Sequence, residues 1–185
     1  MKEQQFIDML PIFTERLSLR MTIDKDFDLL LKMDMDSRVQ YFLGGIKDID
    51  RNARKDFFYK KLSKNINHEI GMMTVCLKPF DIGIGFINLK FDNLNNKVEL
   101  SYILDADYWK NGYCTEICKK IVDVLFSKLY VNEVYADSFS TNINSIHVLE
   151  RIGMKKIDVH DELFRIGSSS TTDYFVNYSI FNEKR

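Results

Sequence analysis

Thr14 to Met21 alternates polar and apolar positions, with Leu17, Leu19 and Met21 on one face, and predicts a first strand. The period then changes. Phe27, Leu30, Leu31 and Met33 recur at helical spacing behind a possible cap at Thr22 or Asp24, and Asp36 to Phe42 continues as a short helical piece stopped by Gly44-Gly45. Asp48 or Asp50 opens a longer helix with Ala53, Phe57, Phe58, Leu62 and Ile66 on its apolar side. Period two returns in Glu69 to Leu77, Ile84 to Phe91 and Lys97 to Asp105, separated by turn residues at Pro79 to Asp81 and Asp92 to Asn96, which predicts an antiparallel meander. Ile117, Ile121, Val122, Leu125, Phe126 and Leu129 then mark an amphipathic helix, Glu133 to Phe139 a strand, and Ile146, Leu149 and Ile152 a short helix capped by Asn142 and stopped at Gly153. Lys155 to Phe164 and Asp173 to Phe181 read as two last strands around a Gly167-Ser168-Ser169-Ser170-Thr171 loop.

That order predicts an α+β fold: a three-layer α/β/α sandwich around one mixed, mostly antiparallel sheet of about six to seven strands, as a single domain over residues 1–185. Composition narrows the class. In 185 residues, hydrophobic side chains make up 45% and aromatics 13%, with 2 prolines and 8 glycines, so the chain can bury a core. The net charge of −1 argues against a general nucleic-acid or anionic-membrane binder. No apolar run approaches the roughly 18 residues a bilayer requires. Met1 to Phe13 mixes Lys2, Glu3, Gln4, Gln5 and Asp8 with its apolar residues, unlike a signal peptide. The 3 cysteines lack framework spacing and fit a reducing compartment. The expectation is a soluble cytoplasmic protein, monomer or homodimer.

The stretch with the most chemistry is Tyr108-Trp109-Lys110-Asn111-Gly112-Tyr113-Cys114-Thr115-Glu116, between a predicted strand and a predicted helix. A glycine just inside that helix start leaves several backbone N–H groups and the positive end of the helix dipole aimed at one place, an anion site. It is not a Walker loop, since no Gly-x4-Gly-Lys-Ser/Thr occurs. Gly83-Ile84-Gly85 lacks the third glycine of a dinucleotide fingerprint and reads as a bulge or turn within the meander. Cys114 and Cys118 lie one helical turn apart, but no further His or Cys nearby in sequence completes a metal site, and no metal is expected.

Trp109 to Glu116 resembles the acetyl-CoA pyrophosphate loop of the GNAT acetyltransferases. Trp109, Gly112 and Cys114 occupy the places of the general pattern Arg/Gln-x-x-Gly-x-Gly/Ala, and two of them depart from it. The RimJ/RimL-like subfamily commonly reads Trp-Gly-x-Gly-Tyr-Ala-Thr-Glu there, which this stretch is similar to. Asn142-x-x-Ser145-x-x-Val148-Leu149-Glu150-Arg151-x-Gly153-Met154 resembles a second segment of that subfamily. Thr14-Glu15-Arg16-Leu17, the Phe42 to Gly45 stop and Asp173 to Ile180 are similar to other parts of it, so the likeness spans roughly Phe13 to Phe181.

The resemblance implies a GNAT-like fold and acetyl-CoA as co-substrate. The cofactor would be held by Trp109, Lys110, Asn111, Gly112, Tyr113, Cys114 and Thr115 at the pyrophosphate, by the backbone of Tyr102, Ile103 and Leu104 along the pantetheine, and by Asn142 and Ser145. It also implies that the strand Leu100–Leu104 splays from Val134–Phe139 and leaves a gap for the acetyl group. Glu99 is the implied general base. Many GNATs carry a tyrosine donor where this chain has Leu149, and Ser145 is the subfamily's substitute for protecting the leaving thiolate. The expected reaction is acetyl transfer to a primary amine of a small molecule or peptide (a protein N-terminus, polyamine, amino sugar or antibiotic) by direct attack in a ternary complex. The alternative is a non-catalytic acyl-CoA-binding sensor or assembly module. His147 is expected at the surface. Asp34, Asp36, Asp48 and Asp50 are expected either to attract a cationic amine or to form a solvated helix surface.

Overall fold

The computed structural model describes residues 1–43, 50–66, 71–166 and 171–183. Among these, eight strands form one sheet: β1 (Ile12–Phe13), β2 (Leu17–Met21), β3 (Met73–Leu77), β4 (Ile82–Asp92), β5 (Lys97–Leu104), β6 (Glu133–Phe139), β7 (Lys155–Arg165) and β8 (Thr172–Phe181). Their order is β1-β2-β3-β4-β5-β6-β8-β7, with β5 and β6 parallel and the other neighbours antiparallel. The helices are α1 (Lys2–Ile7), α2 (Phe27–Met35), α3 (Ser37–Gln40), α4 (Arg51–Ile66), α5 (Tyr113–Ser127) and α6 (Ile143–Arg151).

The period-two pattern of β5 explains the layering. Val98, Leu100 and Leu104 enter a core with Ile117, Ile121 and Leu125 of α5 and Leu149 of α6. Ile103 faces the other way and packs on Leu30, Met33 and Phe58 of α2 and α4, with Phe86. Burial of each such side chain contributes about 1.5–3 kcal/mol, so the apolar stripe of α5 alone fixes that helix on the sheet.

The sheet exceeds the expected six to seven strands because Ile12–Phe13 adds a two-residue edge strand against Ser18 and Leu19. α1 was not foreseen; it has six residues, of which Phe6 is fully buried, too short to show a period. Thr14 to Arg16, expected in the first strand, forms a turn instead: Thr14 N–H donates to Leu17 O at 2.9 Å and the Leu17 N–H donates to the Thr14 hydroxyl at 3.0 Å. Thr22 does not cap a helix; its hydroxyl meets that of Thr74 at 2.9 Å. Gly83 and Gly85 flank a bulge, pairing with Cys76 and Val75. A β-carbon at position 85 would lie 2.3 Å from Ile103 O, so a glycine is required for β4 to approach β5. The Gly44-Gly45 stop, Asp48, His68 and the Gly167–Ser170 loop lie outside the described residues.

One irregularity positions the site. β5 and β6 pair at Lys97↔Glu133, Val98↔Val134 and Glu99↔Tyr135, and no further. β5 runs on with β4 to Leu104, and β6 runs on with β8 to Phe139. The sheet is therefore split between these two strands beyond Glu99.

Candidate active site

β5 ends in a tight turn, Ala106–Tyr108, and α5 begins at Tyr113. Two residues between them have left-handed backbones, Lys110 (φ 63) and Gly112 (φ 77). Gly112 is thus the cap residue, outside the helix rather than just inside it, and its φ is the reason for a glycine there. It offers no side chain to the helix end. The first helical bond runs from Glu116 N–H to Gly112 O at 3.0 Å, so the N–H groups of Tyr113, Cys114 and Thr115 precede the ladder. Trp109 secures the turn from inside, its indole N–H donating to Leu104 O at 2.8 Å.

These groups line a cavity of about 760 Å³ at the free end of β5, within the size range of ligand sites. Tyr102, Ile103, Leu104, Trp109, Lys110, Gly112, Tyr113, Cys114, Thr115, Asn142 and Ser145, all expected at a cofactor, line it. So do Arg38, Tyr41, Phe42, Tyr108, Asn144, His147, Val148 and Arg151, which the sequence did not single out for that purpose. His147 is exposed, as expected, and still borders the cavity. Lys110 and Arg151 give the lining positive charge, Arg38 being paired with Asp36 and Asp107, and no carboxylate is among the described lining residues. Asn111 is the expected cofactor residue that does not line it; its amide folds back on Tyr108 O and Trp109 O at 3.2 and 3.0 Å.

On the α5–α6 side, the Tyr102 and Ser145 hydroxyls are 2.9 Å apart, and Tyr102 O–H also reaches Ser145 O at 3.1 Å. Burial pushes the Tyr102 phenol well up, so it keeps its proton and remains a donor. Asn142 Oδ1 accepts the Ser145 N–H at 3.3 Å, capping α6 and seating Ser145 in its first turn. Leu149 is fully buried in the core. Cys114 and Cys118 face each other with sulfurs 4.0 Å apart. Among the described residues no group of three His, Cys, Asp or Glu converges on a metal position.

Glu99 is on the opposite face of the sheet, at the last β5–β6 pair, and does not line the cavity. Its carboxylate is 3.5 Å from the Tyr135 hydroxyl and 3.7 Å from Lys90 Nζ. Asp137 follows on the same face of β6. Burial, and then the charge of Glu99, push its carboxyl up, while His160 opposes. His160 Nε2 and Asn177 Oδ1 are 3.2 Å apart, with Phe139 stacked on Phe175 and Phe164 edge-on to Phe175 beside them. Glu99 and Ser145 thus flank the split from its two faces.

The helix aspartates are engaged in the fold. Asp34 takes the Arg54 guanidinium at 2.5 and 2.7 Å, Asp36 caps α3 and pairs with Arg38, and Asp50 accepts the Asn52 N–H at 2.8 Å. Lys32 bridges Asp105 and Asp107 at 2.5 and 2.7 Å, and Arg38 reaches Asp107 at 2.9 Å, tying α2 and α3 to the turn before α5. No spacing rule in the sequence signals these contacts, because their partners are about 70 residues apart.

Known proteins resemble the chain along most of its length. The family described as "Acetyltransferase (GNAT) domain" matches residues 16–155. The uncharacterized N-acetyltransferase p20 of Bacillus licheniformis is 25% identical over 146 residues, covering 78% of this chain and 82% of that protein. A GNAT-family acetyltransferase from Bacillus anthracis superposes with a TM-score of 0.77 at 21% identity, over 94% of this chain and 99% of the other. The spermidine N-acetyltransferase of Vibrio cholerae, solved with CoA and spermine, gives 0.76 at 15% identity, over 92% and 98%. Among the described residues no helix is long and apolar enough to cross a membrane.

Proposed function

This chain belongs to the GNAT acetyltransferase family, and we propose that it moves the acetyl group of acetyl-CoA onto a primary amine that reaches the split from the Glu99 face. The observation that carries the proposal is the split itself. It frees the end of β5, where Tyr102, Ile103 and Leu104 line the cavity, and leaves Glu99 at its root, outside that lining. Acetyl-CoA, when bound, supplies an acyl thioester. The N–H groups at the start of α5, with Lys110 and Arg151, suit its phosphates.

The chain's residues then divide the proton work. An amine arrives mostly as ammonium, since its reference pKa is about 10.4. Glu99 accepts that proton, directly or through one water. The carboxyl groups of Glu99 and Asp137 on this face suit a cationic acceptor, and the spermine-bound structure of the same fold is consistent with that class. On the other face, Tyr102 orients the Ser145 hydroxyl as a hydrogen-bond donor toward the departing sulfur.

The test is thiol release from acetyl-CoA over polyamines, peptide N-termini and amino sugars. Turnover with a cationic amine is expected. Tight CoA binding with no turnover on any amine would overturn the transferase reading. Glu99→Gln is expected to lower kcat at neutral pH by about 10- to 100-fold, with partial recovery at higher pH as more amine is neutral. CoA affinity is expected to stay the same; wild-type rates would remove Glu99 from the mechanism.

A further inference from the structure

The turn before α5 is shaped by a side chain from another part of the chain. Arg16 follows the Thr14 turn, and its guanidinium makes four contacts with the α5 start. Nε and Nη2 each lie 2.7 Å from Glu116 Oε2, and Nη1 donates to Asn111 O at 3.1 Å. The guanidinium carbon lies 4.5 Å over the Tyr113 ring. Glu116 is held from a second side by the Thr14 hydroxyl at 2.6 Å and by the Arg16 N–H at 3.0 Å. Burial alone would push the Glu116 carboxyl up, but these donors hold it below its usual range, so it is charged at neutral pH. The Arg16 main chain is fixed as well, its carbonyl accepting the Lys78 N–H at 3.0 Å.

We propose that Arg16, locked by Glu116, is a positioning residue that sets the anion-binding backbone of Asn111 to Thr115 from outside the cavity. This rests on the reading of the cavity as the acetyl-CoA cleft. A trans peptide points its C=O and N–H in opposite directions. Anchoring Asn111 O on Arg16 therefore turns the Gly112 N–H away from Arg16. Gly112 lines the cavity and Arg16 does not. The same fork holds Tyr113, the first helical residue, and Glu116, the residue that starts the helical ladder. One planar group with fixed donors spans these positions, which a lysine ammonium has no geometry to do.

The proposal separates shape from charge. Arg16→Lys keeps the charge and loses the fork. Its dissociation constant for CoA, measured by calorimetry, is expected to rise about tenfold or more, as it does for Arg16→Met. Glu116→Gln removes a negative charge near an anion site, so charge alone predicts tighter CoA binding. The clamp predicts weaker binding, because the fork is released. The KM for acetyl-CoA is expected to rise in all three while kcat at saturation changes less than threefold. Wild-type affinity in Arg16→Lys, or tighter binding in Glu116→Gln, would overturn the clamp. Should Arg16→Met fail to fold, the nearly isosteric Glu116→Gln carries the same decision. A wild-type chain that binds no CoA would instead overturn the cleft reading, and the clamp with it.

Discussion

α5 and α6 both begin beside the cavity, yet α6 opens behind an asparagine that fills its end and α5 opens behind a glycine that fills nothing. At α6, Asn142 Oδ1 takes the Ser145 N–H, and Thr141 O takes the Ile143 N–H at 2.9 Å. At α5, three N–H groups precede the ladder and no side chain caps them. A helix end without a side-chain cap costs stability, though with glycine at the cap position only about a few tenths of a kcal/mol. Where it borders a cavity lined by Lys110 and Arg151, it is also a feature suited to an anion. On the proposed reading, α5 leaves its first N–H groups open to a phosphate, and α6 closes its own end and seats Ser145 in its first turn.

The largest test of this contrast is Gly112→Glu. The new carboxylate would face the positive end of α5, and its β-carbon would stand at φ 77 with Arg16 Nη2 3.7 Å away. CoA affinity is expected to fall by on the order of 100-fold or more, while thermal stability falls by only about 1–2 kcal/mol from the left-handed backbone. Calorimetry with CoA beside a melting curve reads both. Unchanged affinity would break the assignment of α5 as the anion-binding end.

The contrast also shows what a sequence discloses. β6 was bounded at Glu133 and Phe139, and α6 was placed behind Asn142, because period, cap and stop are local signals. Gly112 was legible for the same reason: a glycine between a strand and an amphipathic helix marks a special backbone. What shapes the turn was not legible. Arg16 and Glu116 are 100 residues apart, and Tyr102 and Ser145 are 43 apart. Both pairs are made by the way the sheet and the turn before β2 pack on helices, which no local pattern encodes. Tyr102 was expected to serve through its backbone, yet its hydroxyl holds Ser145. Trp109, expected at the pyrophosphate, also anchors the turn to Leu104 O.

Asn142→Ala sharpens the comparison from the other side. Loss of the cap is expected to destabilise the protein by about 1 kcal/mol and to leave CoA affinity within about threefold, since one side-chain contact at most is lost there. Chemical denaturation and calorimetry on the same sample decide it. A loss of affinity as large as that of Gly112→Glu would mean that α6, too, is a binding end.

The smallest effect concerns the turn that leads into α6. Asp173 is buried and accepts the hydroxyls of Ser140 and Thr141 at 2.5 and 2.8 Å, with the Thr141 and Tyr174 N–H groups both at 2.8 Å. Burial alone would push its carboxyl up, but these donors favour the charged form and hold it below the usual range. A carboxyl lowered in the folded state adds stability above its unfolded value, near 4, and loses that contribution as pH falls through the folded value. Asp173→Asn is therefore expected to melt a few degrees below wild type at pH 7, with the gap narrowing below about pH 4. Glu116, the carboxylate at the start of α5, is held low by a similar set of donors. Its loss is expected to register in CoA affinity, whereas the loss of Asp173 registers in stability alone. A drop in CoA affinity for Asp173→Asn at pH 7 would show that the α6 turn also shapes the anion site, and the division of labour between the two helix starts would fail.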